Sequence, residues 1–147
     1  VTAMDSADGW ETYQASCNLQ GGAANIYTIF GDSDTTLTVP AAYQEAAPFG
    51  ANVGGVNPAF FGVQATAAFD SWLTVGLSEG DTSNTLGTIG IDFSAWTESS
   101  GLEVADGAVF AMSPDSFDAG RASEVLVAQL TIPGGAAATV QRGMQGR

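Results

Sequence analysis

Nineteen glycines and five prolines cut this 147-residue chain into short segments rich in Thr, Val, Ile, Phe, Tyr and Trp. Branched and aromatic side chains suit a pleated, half-buried surface, and Gly or Pro between them supplies turns, so the pattern predicts strands. Strands are expected near residues 10–18, 25–30, 35–39, 60–66, 69–77, 86–93, 107–112, 123–132 and 137–145. The clearest is 123–132, where Leu126, Ala128, Leu130 and Ile132 alternate with Val125, Val127, Gln129 and Thr131. In 69–77, Phe69, Leu73, Val75 and Leu77 oppose Asp70, Trp72 and Thr74, and so mixed a second face predicts contact with other parts of the protein. Helical evidence is confined to one turn over 40–46, opened by Pro40 and stopped before Pro48. The rest of 40–58 reads as a long loop, a candidate binding edge. Many short strands and almost no helix predict an all-β fold, a two-sheet β-sandwich of jelly-roll-like or immunoglobulin-like outline, as a single domain over 1–147. No internal repeat suggests a propeller or solenoid.

Charge narrows the partners. Sixteen Asp and Glu face only Arg121, Arg142 and Arg147, with no Lys and no His, for a formal net charge of −13. Nucleic-acid affinity comes largely from Lys and Arg displacing counterions, so this surface argues against nucleic acid and anionic lipid. Proteins with basic faces, divalent cations and neutral glycans fit it. No apolar run approaches the roughly 20 residues a bilayer-spanning helix needs. The single cysteine, Cys17, excludes an internal disulfide and is expected to be a buried small hydrophobe in its strand. A chain starting with Val is expected to be a mature form or an excised segment, and 136–147 reads as a strand cut in mid-course.

The missing residue types also bound the chemistry. Without histidine the commonest general base and transition-metal ligand is gone; without lysine, so is Schiff-base catalysis. Carboxylate chemistry is left. Most acids occupy turn contexts, among them Asp5, Asp8, Glu79 and Asp106, whereas Asp70 and Asp92 lie nearest to apolar strands. A carboxylate-only glycoside hydrolase would need two such acids across a cleft, with Asp70 the first to test. Calcium is the cofactor that these loops could hold, through Asp32 and Asp34, through Asp81, and through Asp115 and Asp118; the alternative is that these acids cap their own turns. Among the aromatics, Trp72 and Phe69 are expected inside, while Phe49, Phe60, Phe61 and Trp96 are candidates for a contact surface.

Six phrases carry a resemblance: Gly9–Tyr13 (GWETY), Ala24–Gly31 (ANIYTIFG), Gly55–Phe61 (GVNPAFF), Phe69–Gly76 (FDSWLTVG), Asp106–Phe110 (DGAVF) and Val127–Thr131 (VAQLT). Together the chain resembles poorly characterised β-rich domains in exported proteins of marine algae and some aquatic bacteria, over most of its length. The resemblance implies export from the cytosol, to the cell surface, the extracellular space or the thylakoid lumen, and implies no activity. The expected function is a non-catalytic structural or linker module contacting other protein subunits. One version is an accessory subunit of an algal photosynthetic complex; the competing readings are a calcium-assisted carbohydrate-binding module and the glycoside hydrolase.

Overall fold

The computed structural model describes residues 1–4 and 9–147; Asp5 and Asp8 lie outside the described residues. The fold is all-β. Its strands are β1 (Thr2–Met4), β2 (Trp10–Asn18), β3 (Ile26–Gly31), β4 (Leu37–Val39), β5 (Trp72–Leu73), β6 (Leu86–Ile89), β7 (Leu102–Val104), β8 (Gly107–Ala111), β9 (Glu124–Pro133) and β10 (Gly143–Gly146). They form two four-stranded sheets, ordered β1-β2-β9-β5 and β10-β3-β8-β6, and a two-stranded ribbon, β4-β7. All strand pairs within these sheets are antiparallel. The ribbon is a third sheet that the two-sheet expectation did not include.

The longest strand, β9, organises the first sheet between β2 and β5. Strict alternation would put Val125 and Val127 on the face opposite Ala128, Leu130 and Ile132, yet all five belong to the main core. A bulge reconciles them: Ala15 pairs with Ala128 and Ser16 with Leu126, so Val127 is an extra residue in the ladder. One inserted residue turns two consecutive side chains to the same side and reverses the alternation beyond it. The other face carries Leu126, Gln129 and Thr131. Thr131 meets Thr12 across the ladder, hydroxyl to hydroxyl at 2.7 Å, and Gln14 donates to Gln129 at 3.1 Å.

The second sheet and the ribbon are one bent pair of arms. The β3–β8 ladder ends at Gly31 opposite Gly107, and the same two chain segments pair again as β4 and β7. At this corner the backbones approach so closely that a Cβ on Gly31 would sit 1.9 Å from the Val104 carbonyl oxygen. Leu37, Val39, Leu102 and Val104 thereby fold over to join Ile29, Val109, Leu73 and the β9 side chains in one core.

Two expected strands are shorter than the sequence predicts, 86–93 being a strand only over Leu86–Ile89 and 137–145 only from Gly143, and three other elements differ in kind or extent. Residues 40–46 form no helix: the N–H groups of Tyr43 and Glu45, which would close its first turns, bond instead to the Thr131 carbonyl and the Asp70 carboxylate, and that of Ala42 to the Thr97 carbonyl. Over 60–66 the chain makes 3₁₀ turns, Pro58–Phe60 and Ala65–Phe69, and of 69–77 only Trp72–Leu73 is a strand. Even so, Leu73 and Val75 enter the main core while Asp70, Trp72 and Thr74 are buried on the other side, as a two-faced contact requires.

Gly31→Val forces the Val104 backbone to move, a change of the overpacking kind, and is expected to destabilise the domain by about 3 kcal/mol. Urea unfolding followed by tryptophan fluorescence measures it.

Candidate interaction surface

The polar face of β9 cannot face water, since Thr12, Gln129 and Thr131 are buried. The cover is the chain from Pro40 to Ser71, and Asp70 fastens it. Its side chain is 1 % exposed. Oδ1 accepts N–H bonds from Glu45 at 2.8 Å and Ser71 at 3.0 Å, and Oδ2 accepts one from Ala51 at 2.6 Å. The Asp70 and Ala68 carbonyls in turn accept the Gln129 amide at 2.8 and 3.1 Å, and the Ser71 hydroxyl accepts the Thr131 N–H at 2.9 Å. One carboxylate thus ties three points of the cover together, and the Asp70 and Ala68 carbonyls and the Ser71 hydroxyl join it to the strand beneath. Burial pushes its pKa up to about 6 against the pull of those N–H bonds. Burial also acts on the nearby Glu45, but hydrogen bonds from Thr66, Gln64 and Tyr43 outweigh it and hold that carboxyl below its ordinary range.

Three of the aromatics expected at a contact surface serve this same cover. Phe49 and Phe61 pack with Val56, Ala67 and Trp72 in a second, smaller core, and Phe60 stands edge-on to Phe49 with ring centres 5.7 Å apart. Of the three, Phe60 is the exposed one. Trp96 takes a different place from the interface position expected: it is buried in the main core, its indole N–H donating to the Pro40 carbonyl at 2.9 Å. It anchors the start of the covering loop from below.

The acidic loops are largely occupied with their own turns. Asp32 Oδ1 accepts the N–H groups of Asp34 and Thr35, and Asp92 caps Ser94. Asp81 accepts from the Thr85 N–H and hydroxyl with one oxygen and from the Leu86 N–H with the other; these bonds outweigh its partial burial and lower its pKa. Asp115 pairs with Arg147, and Asp118 opens the 3₁₀ turn Asp118–Arg121. Among the described residues no three acidic or sulfur side chains are gathered to hold a metal ion.

The uncovered face belongs to the other sheet. Register places Thr28, Phe30, Ala108, Phe110, Gly87 and Ile89 on the side of β3, β8 and β6 that faces away from Ile29 and Val109. Phe30 and Phe110 are half-buried, while Ile89 is 66 % and Met112 61 % exposed. The half-burial of the rings comes from glycine neighbours. A Cβ on Gly143 would lie 2.5 Å from the Phe30 ring, and one on Gly87 2.8 Å from both the Phe110 ring and the Met112 sulfur. The rings therefore reach over the glycines of the neighbouring strands, Phe30 over Gly143 and Phe110 over Gly87. Asp32, Asp92 and Asp106 stand in the turns at the end where β3 leaves, β6 leaves and β8 enters. Nothing in the alternation of β3 or β8 separates this face from a second core face; the glycines paired opposite Phe30 and Phe110 are its sequence signal.

No protein-family model matches the chain, and neither the curated proteins nor the solved structures contain a significant match.

Asp70→Ala leaves three backbone N–H groups without their acceptor and is expected to cost about 3 kcal/mol or more, with faster amide exchange at Glu45 and Ala51. The pH dependence has a definite sign. With a folded pKa of about 6 above the ordinary 3.8, native Asp70 keeps a proton that the unfolded chain has lost. Its contribution is fully present below about pH 4 and disappears as pH rises through 6. Urea titrations between pH 4 and 7 are expected to show that fall in the wild type relative to Asp70→Asn, which cannot titrate.

Proposed function

We propose that this domain is a non-catalytic docking module that makes protein–protein contacts within a larger extracellular or lumenal assembly. The observation that carries the reading is the outer face of β10-β3-β8-β6, where Phe30, Phe110 and Ile89 share one side, with Met112 beside Phe110, on a strongly acidic chain. Exposed apolar surface of this kind is characteristic of interaction sites. Charge selects the occupant. Two copies with a net charge of −13 repel, whereas a partner with an apolar centre and Lys or Arg at its rim complements both the rings and the carboxylates at the sheet end.

The state of Asp70 supports the non-catalytic part. A general acid or nucleophile needs an oxygen directed at substrate, and both oxygens of Asp70 accept backbone N–H bonds beneath the covering loop.

A photoreactive amino acid at Ile89 is expected to cross-link the domain to a neighbouring subunit in the native assembly, and one at the exposed Ser99 is not. Phe110→Glu is expected to weaken the association roughly 30-fold, the loss of one central contact of about 2 kcal/mol, with an unchanged circular dichroism spectrum. Equal cross-linking from both positions, or substrate turnover by the purified domain that Asp70→Asn abolishes, would overturn the reading.

A further inference from the structure

A groove of about 380 Å³ opens between the core-facing side of β2 and β9 and the segment leading into β10. Tyr13, Ala15, Leu130, Ile132 and Val140 give it apolar walls, and Arg142 is the one charged side chain in the lining. That arginine is oddly placed for this chain. With sixteen acidic residues available, it has no carboxylate within ion-pair distance among the described residues, where the ion pair is Arg147 with Asp115. One terminal nitrogen of the guanidinium donates to Cys17 Sγ at 2.8 Å, and Nε is buried with no acceptor among the described residues. A guanidinium presents its donors as a planar fork that matches a carboxylate, and a sulfur atom is a weak substitute.

We infer that this groove binds an amphipathic monoanion, an alkyl or aryl carboxylate, with its carboxylate on Arg142 and its apolar body along Tyr13, Leu130 and Ile132. The volume is at the small end of the roughly 300–1,000 Å³ found for small-molecule sites, which limits the ligand to a single short chain or ring system. The lining has the composition such sites have, apolar walls with few polar groups, here Arg142 and Ser16. Because the chain as a whole repels anions, recognition depends on the groove's short-range fit. The site is separate from the Phe30–Phe110 face, so either can fail without the other.

The test uses the whole chain and two probes matched in length, sodium decanoate and 1-decanol, by isothermal titration calorimetry. Decanoate is expected to bind one to one and more tightly than decanol. Arg142→Gln is expected to weaken decanoate at least tenfold while leaving decanol unchanged, and Ala138→Trp, which fills the groove without touching the charge, to abolish both. Phe110→Glu, on the other sheet, is expected to change neither. Absence of decanoate binding overturns the inference, as does binding that survives both Arg142→Gln and Ala138→Trp, or binding lost on Phe110→Glu.

Discussion

The burial of β9 on both sides is the constraint to which the rest of the structure answers. One face, set by the bulge at Val127, is aliphatic and closes the main core. The other carries Gln129 and Thr131, whose polar groups cannot be buried without partners. Thr12 and Gln14 satisfy part of that demand, and the covering loop supplies the rest through the Ser71 hydroxyl and the Ala68 and Asp70 carbonyls. Asp70 is then the hinge of the arrangement, a charge whose burial is unfavourable by itself and tolerated because it accepts three N–H groups that the loop would otherwise leave unpaired. A long irregular segment with little secondary structure of its own thus acquires a fixed course.

Much of this was legible in the sequence, and the limits have physical causes. The strands β2, β3, β8 and β9 follow from alternation and composition, because two-faced burial leaves a period of two. The short β1 and β7 carry too few residues to show any period. Residues 40–46 contain good helix formers after a proline, yet their N–H groups are claimed by Thr131, Thr97 and Asp70, residues distant in sequence. Local propensity has no access to such competition. In the same way Trp96 stands in a polar-looking stretch, and only its bond to Pro40 and its burial beneath the ribbon explain its place.

The candidate surfaces were the least legible part. Phe49, Phe60 and Phe61 stand out in the sequence because a long loop surrounds them, and Phe49 and Phe61 fill its underside. The rings that form the open face, Phe30 and Phe110, sit in well-patterned strands, where an aromatic ordinarily signals core. What distinguishes them is their cross-strand partner: each ring faces a glycine, Gly143 or Gly87, and reaches into the space that a side chain there would fill. The acidic loops show the converse. Asp32 and Asp81 look like ligands in the sequence and behave in the structure as turn caps, a role that the same residue types fill equally well.

The asymmetry between the two large sheets has a consequence for valence. The first sheet is roofed over Gln129 and Thr131 by its own loop, whereas Phe30 and Phe110 on the second carry no such roof among the described residues. A body with a single broad adhesive side closes off whatever it joins, because no equivalent surface is left for the next unit. On the proposed function, that asymmetry would give the domain a valence of one.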